Sequence, residues 1–563
     1  MQLIDQNAKK IMEECKVRAK AAGLNIQTDT LEYIVTNRDL IELNPKVMIP
    51  TLYDYWIHDV EIIRDKWIYD VFPRNPYETV INTRPAISFY NDNNPDWLNA
   101  MIFYHVLGHI DFFQNNIFYR KTWDDDFCGQ ALADKRLINM IREELGAEKR
   151  WVDYVIEFAR GLDNLVGYYQ ELEEADKAQT QNIFGQFSEK ASFYFGEFLR
   201  RLYDKEETTL KFFYDEIERY NACLKQHQER GEEIFFAELR SKFPEFNSLF
   251  EKRKKVETAK TRDILQYLLE NSGFINKEKN KWMKDVIQVV RKTSMYFQAQ
   301  MRDHICNEGW ASLWHERLFL TDERIKGHGV AYAIVNSDVL VAPRIGFNPY
   351  IIGKYLFEFI EELASKGKLS YGFQLIKDAE TRENFDQKLG PDCGKKMLFE
   401  ARRNFNDYLL VNFLSDDDFQ DFVNRYNLFV AGARLSEKRF GFAEFYIKSR
   451  LGREYRKMLN KSLYHPPYIV ISGEKSEEEG ELYLDHIYEG RTLVTRYIKP
   501  VLIGLAYLSG AKVKLETTEF ETDEMTFTKR YQNPEAELEY RKFRVLYTCQ
   551  GRDVKRVVLR EEE

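Results

Sequence analysis

Cysteine is scarce in this chain: six residues in 563, at positions 15, 128, 223, 306, 393 and 549, with no CxxC pair. That spacing argues against a disulfide framework and against a thiolate zinc knuckle, and it fits a reducing compartment. Long apolar runs are missing too. Nowhere do about 18 consecutive apolar residues occur, and the opening Met1-Gln-Leu-Ile-Asp-Gln-Asn-Ala-Lys-Lys10 lacks the apolar stretch of a secretory signal, so a cytoplasmic protein without a membrane span is expected. Basic tracts are absent, and with a net charge of −9 and a pI near 5.8 the chain has no general attraction for polyphosphate. Nucleic acid is therefore not an expected partner. The nearest approach to a basic patch, Glu251-Lys-Arg-Lys-Lys-Val-Glu257, is flanked by acids and reads as a solvated helix face. There is no Walker motif, no dinucleotide fingerprint, no Gly-x-Ser-x-Gly elbow and no fixed-period repeat; Gly327-His328-Gly329 is too short for a phosphate loop.

What is present is an ordinary folding composition, 44% hydrophobic and 31% charged, with an unusually high aromatic share of 15%. The length predicts a large core plus at least one further domain. Residues 1–45 alternate apolar and charged positions at helical spacing up to Asn44-Pro45 and read as an N-terminal helical segment. A proline-punctuated stretch follows, with short strands expected at Thr79-Val-Ile-Asn-Thr83 and Ala86-Ile-Ser-Phe-Tyr90. Pro95-Asp96 opens a strongly apolar segment whose 3.6-residue period predicts a buried helix to about Asn115. Residues 130–300 read as long amphipathic helices, 285–319 as one further helix, and another helix follows Asn348-Pro349. After His465-Pro-Pro467 the pattern changes to strands around 468–473, 482–488, 512–516 and 543–547, an acidic turn at 474–481 and a helix at 491–508. The expected fold is mainly α: a large helical core over 46–465 carrying the site, with a small C-terminal α/β domain at 466–563.

His105 and His109 are four residues apart, so both rings leave one helix face. Zincins use this spacing with a general-base Glu directly after the first His, where this chain has Val106. A second segment offers His304, Glu308 and His315 on one face beside the small Ala311. If Glu308 and His315 meet His105 and His109, three imidazoles and a carboxylate form a set suited to zinc first, and to iron or manganese; His304 is an alternative to His315. The plainer reading is a hydrogen-bonded core in which Glu308 pairs with a cation such as Arg302, because unpaired imidazoles and carboxylates are costly to bury. Asp111 and Asn115 read as ligand-orienting groups or as helix-cap and core partners. Cys306 is a nucleophile candidate or a small core hydrophobe.

Four strings, Thr79-Val-Ile-Asn-Thr-Arg-Pro85, His105-Val-Leu-Gly-His-Ile-Asp-Phe-Phe-Gln-Asn-Asn116, Asn307-Glu-Gly-Trp-Ala-Ser-Leu-Trp-His315 and Asn348-Pro-Tyr-Ile-Ile-Gly353, together resemble the SpoVR family, named for stage V sporulation protein R. The resemblance spans residues 40–365 clearly and the C-terminal region more faintly. It implies a cytoplasmic bacterial or archaeal protein, linked in spore-formers to the spore cortex, a peptidoglycan layer, although relatives occur widely in organisms that never sporulate. It also implies two partners, a serine-kinase-like AAA+ protein and a protein with a von Willebrand-type fold. The chain departs from the family pattern at Tyr53-Asp-Tyr-Trp56 and at Val60–Lys66.

The leading expectation is a metal-dependent, amidase-like hydrolase. His105, His109 and Glu308 are its ligands, and His315 is a fourth ligand or a proton-transfer group. Glu308, His315 and Asp111 carry the chemistry, and Asp111, Glu316 and Glu61 are the candidate bases. A bound divalent ion would bring a water's pKa towards about 7, provided that three ligands leave a position open. The alternatives are a non-catalytic scaffold in a kinase-associated complex, with a structural metal or a hydrogen-bonded core, and an iron-based redox role.

Overall fold

A computed structural model describes residues 2–36, 78–120, 122, 127–162, 188–199, 210–243, 246–251, 263–343, 345–374, 376, 378–435, 443–464, 466–467, 469–473, 475–476, 481–488, 491–522 and 540–562. Glu61, the segments 53–56 and 60–66, the helix stop at Asn44-Pro45, positions 252–257 of the mixed-charge run and most of the acidic turn lie outside the described residues. The fold is mainly helical with a few short strands and a small C-terminal sheet. No helix among the described residues is long and apolar enough to cross a membrane.

The N-terminal segment is half helix and half strand. Gln6–Ala22 is helical, capped by Asp5 and closed by Gly23 at φ 110°. Thr30-Leu-Glu-Tyr-Ile-Val35, β-branched and aromatic, is instead a strand. It joins a four-stranded sheet of β1 (Gln2–Leu3), β2 (Thr30–Val35), β3 (Glu78–Ile81) and β4 (Ala86–Asn91), in the order β1-β2-β4-β3 with β2 and β4 parallel. Both short strands expected from sequence are present in it.

The apolar segment after Pro95 is a helix from Asp96 to Asn115. It is apolar nearly all round, and such a helix must be buried on every side. The Gln6–Ala22, His304–Phe319 and Pro391–Asn404 helices pack on it, and Pro349–Ser365, packed on His304–Phe319 and Pro391–Asn404, completes the first hydrophobic core. Two close approaches fix this bundle. A Cβ on Gly108 would sit 2.7 Å from the Ala311 Cα, and one on Gly353 would sit 2.7 Å from the Gly309 Cα. His304–Phe319 is therefore clamped between two helices at backbone contact.

The single helix expected over 285–319 is two. Asp303, with φ −125° and ψ 25°, separates Trp282–Arg302 from His304–Phe319. The two halves serve different cores: Met283, Val286, Ile287 and Val290 pack in the second, whereas Ile305, Trp310 and Leu313 pack in the first. One straight helix cannot aim these faces at two cores. The new N-terminus is capped from another helix, with the Cys306 N–H donating to Asp407 Oδ1 at 2.8 Å.

The second core joins helices Phe127–Leu145, Arg150–Arg160, Ile264–Asn271 and Trp282–Arg302 to the C-terminal sheet and the Thr495–Ser509 helix. That sheet holds β7 (Ile469–Ile471), β8 (Leu482–His486), β9 (Val513–Thr522), β10 (Tyr540–Gln550) and β11 (Asp553–Glu562), ordered β11-β10-β9-β8-β7. The C-terminal unit thus shares its core with helices from the middle of the chain. A third cluster is almost wholly aromatic, with Phe193, Tyr194, Phe198, Phe235, Phe236 and Phe246 buried together. A hairpin of β5 (Val430–Leu435) and β6 (Ala443–Ser449), and the last strand β11, were not expected from the sequence.

Candidate metal centre

The Gly108–Ala311 contact brings the two chemistry-bearing helices together at the level of the histidines. Glu308 Oε2 lies 3.7 Å from His105 Nε2 and 3.5 Å from His109 Nε2. The three ligand atoms all fall within 4.8 Å of one another. Bonds of about 2.05 Å at a tetrahedral zinc set ligand atoms about 3.3 Å apart, so the trio is close to the size of a coordination edge. Both imidazoles are buried, with 6% and 8% of the side chain exposed, and Glu308 keeps 15%.

Each ring nitrogen facing away from Glu308 is engaged. His109 Nδ1 lies 2.9 Å from Asn307 Oδ1, a carbonyl acceptor, so the proton sits on Nδ1 and leaves Nε2 bare. His105 Nδ1 lies 2.9 Å from His315 Nδ1, and His315 Nε2 lies 2.9 Å from Asn336 Oδ1. Among the described residues, Glu308 Oε2 is buried with no donor within 3.5 Å, the two imidazoles at its edge being its nearest polar neighbours. A buried carboxylate oxygen without a donor, facing a bare ring nitrogen, is the donor set a divalent cation would satisfy.

Burial depresses the histidines, His109 to about 4 and His315 to about 3. Both are neutral rings near pH 7 and so have a lone pair to give. Burial opposes ionisation of Glu308 as well, but His109 and His105 outweigh it and bring the carboxyl down to about 2. Glu308 thus ionises below His109: the two form an ion pair at low pH, and a carboxylate beside neutral rings above it.

The remaining candidates separate cleanly. His315 is at the centre but one hydrogen bond behind His105, outside the three-residue group. His304 is exposed at the rim. Asp111 is fully buried on another side of its helix, where Oδ1 accepts from the Asn25 N–H at 2.6 Å, Oδ2 accepts from Trp310 Nε1 at 2.9 Å, and Arg402 approaches to 3.6 Å. These contacts make it a packing anchor, and Asn115, donating to the Asp111 and Asn25 carbonyls, caps the helix end. Arg302, the cation expected to pair with Glu308 in the plainer reading, turns instead to Gln298 and the Tyr464 ring. Cys306 is buried against Asp407, and burial pushes its thiol far up, so no thiolate is on offer. Glu316 accepts from Asn336 Nδ2 and pairs with Lys354.

Sequence reasoning gave no role to Asn307, Asn336 or Lys354. A signal existed for the last: Lys354 interrupts the apolar run Tyr350-Ile-Ile-Gly-Lys-Tyr-Leu-Phe357, and a lone charge in a buried helix demands a partner.

The family described as "SpoVR like protein" matches residues 4–463, a range that contains every residue of the centre. The chain belongs to the SpoVR family. A relative, "Uncharacterized protein YcgB" of Escherichia coli (strain K12), is 24% identical over 505 residues, which cover 86% of each chain. No solved structure matches. The match to SpoVR ends at the last buried residue of the first core, Leu463, and most of the C-terminal sheet unit lies beyond it.

Proposed function

We propose that His105, His109 and Glu308 hold one divalent cation, zinc before iron or manganese, and that this SpoVR chain uses it as an amidase-like hydrolase. The observation that carries the reading is the convergence of His105 Nε2 and His109 Nε2 on one buried carboxylate oxygen, with all three atoms within 4.8 Å of one another. Two His and one Glu is a ligand set of zinc hydrolases, in which a fourth position is left to water or substrate. A cation held there would polarise a carbonyl and acidify a water. His315, bonded to His105, takes the proton-transfer role in preference to a fourth ligand position. Asp111 is left out of the chemistry by its contacts with Asn25, Trp310 and Arg402. We extend the reading to a cytoplasmic setting, to the AAA+ and von Willebrand-type partners, and in spore-formers to the peptidoglycan cortex, an amide-rich substrate.

The depth of the two imidazoles favours one other reading: a closed structural metal in a non-catalytic scaffold. Elemental analysis decides the shared premise. Protein purified without added metal or a metal-binding tag carries about one equivalent of metal, and His105→Ala/His109→Ala loses it while its circular dichroism is retained. Absence of metal under metal-replete conditions refutes both metal readings. Glu308→Gln then divides them. In the hydrolase it abolishes turnover of amide and peptidoglycan-like substrates with the fold intact, whereas in the scaffold His105→Ala lowers thermal stability and partner binding together.

A further inference from the structure

Four residues on three helices form a line of hydrogen bonds that ends at His105. Lys354, its side chain 9% exposed, sits 2.8 Å from Glu316 Oε1 and 3.4 Å from Glu358 Oε1. Glu316, beside that ammonium, is a carboxylate and can only accept. Asn336 donates its Nδ2–H to Glu316 Oε2 at 3.1 Å, which obliges its carbonyl oxygen to face His315. That oxygen lies 2.9 Å from His315 Nε2, so the His315 proton is on Nε2. A neutral imidazole has one N–H. His315 Nδ1 is therefore bare and must accept, at 2.9 Å, from His105 Nδ1–H, which leaves His105 Nε2 bare and directed at Glu308.

We infer that Asn336, oriented by Glu316 and Lys354, is a positioning residue that sets the tautomer of His315 and, through it, of His105. Reversing the amide of Asn336 would aim two acceptor oxygens at each other across the Glu316 contact. It would also move each ring proton along the line and put an N–H where His105 has its lone pair. Outer partners of this kind fix the tautomer and orientation of metal-binding histidines. This centre uses a second histidine as the outer partner and an amide behind it as the reference. Asn336 lies on the Gly329–Val339 helix, whose Val330 and Ile334 are exposed, while Lys354 is buried on the Pro349–Ser365 helix. The consequence for metal affinity rests on the metal reading above; in the metal-free chain the tautomer assignment rests on Asn336 and Glu316 prevailing over Glu308, whose carboxylate would accept an N–H from His105 Nε2 if the line were reversed.

The test uses the full chain, metal-free, with nitrogen-15-labelled histidine, and long-range proton–nitrogen correlation to identify the tautomer of each ring. The native chain gives Nε2–H for His315 and Nδ1–H for His105. Glu316→Gln is the decisive variant, because it is isosteric but can donate to Asn336 and so lets the amide turn; both tautomers then mix or reverse. The double variant Glu316→Gln/Asn336→Asp restores the native tautomers, since the new carboxylate only accepts and the new amide donates to it. Zinc competition against a chromophoric chelator follows the same order: Glu316→Gln weakens binding by about 10- to 100-fold, and the double variant recovers most of the loss. Unchanged tautomers in Glu316→Gln, or equal affinity losses in the single and double variants, overturn the inference. Tautomers that switch as described in a chain that takes up no zinc uphold it and refute the metal reading instead.

Discussion

Alanine at Gly353 is the sharpest probe of the bundle that builds the centre. The residue is in the middle of the Pro349–Ser365 helix, where glycine ordinarily costs about 1 kcal/mol against alanine. On propensity alone, Gly353→Ala stabilises. The structure reverses the sign, because the new methyl collides with the Ile305 carbonyl and lies 2.7 Å from the Gly309 Cα. Carbon atoms settle near 3.5–4.0 Å, so the helices must part by about 1 Å, a gap that forfeits up to about half of the dispersion energy across the face. The obstructing atoms are backbone and cannot rotate away. Overpacking of this kind costs about 3 kcal/mol at the upper end, and after the helix gain of about 1 kcal/mol a net loss of about 2 kcal/mol remains. Glu308 is next to Gly309, so the same displacement opens the ligand set and weakens metal binding. The assay is urea unfolding with the midpoint compared at constant slope. Gly329→Ala serves as the control: nothing lies within 4 Å of its new methyl, and its stability is unchanged or slightly higher. A Gly353→Ala protein that unfolds at the native midpoint or above it refutes the backbone contact and the placement of Glu308 that depends on it.

Three further outcomes are expected. Burial raises Asp407 to about 7, so between pH 4 and 7 the folded chain holds a proton that the unfolded chain has released. Stability is therefore lost as pH rises through that window. Asp407→Asn, which keeps an acceptor for the Cys306 N–H, removes up to about 4 kcal/mol of that slope in pH-dependent denaturation, and parallel curves for the two proteins would contradict the assignment. Asn116→Ala deprives the Arg402 and Phe405 carbonyls of their 2.8 Å donor and costs about 2 kcal/mol, at roughly 1 kcal/mol per buried bond, read by the same denaturation. Asn336→Leu deprives the buried His315 N–H of its acceptor, which costs about 1 kcal/mol in the same denaturation, and lowers zinc affinity; zinc affinity equal to that of the native chain would make it a packing residue.

The elements with a strong local signal are legible in the sequence. An apolar stretch opened by Pro95-Asp96 can only be a buried helix, and period-four histidines on it must share a face, because both follow from the 3.6-residue repeat. The composition of Thr79–Thr83 and Ala86–Tyr90 likewise determined short strands. The helix break at Asp303 was not legible, since nothing in 285–319 interrupts the helical pattern; the break exists because two separate cores claim the two halves. The strand at Thr30–Val35 depends equally on partners, β4 above all, that lie more than fifty residues away.

At the centre, the sequence determined which atoms were available: two imidazoles one turn apart, and a carboxylate and a third imidazole two turns apart with Ala311 between them. Only the tertiary structure decided their roles. Spacing along a helix determines which way a side chain leaves its own axis, whereas the crossing of two helices at Gly108 and Ala311 determines which side chains meet. That crossing sets Glu308 against His105 and His109, leaves His315 one bond behind, and turns Asp111 towards Trp310 and Arg402. The protons on the rings are decided further out still, by Asn336 and Lys354, because a hydrogen-bond direction passes along a chain of contacts and cannot be read from any one residue.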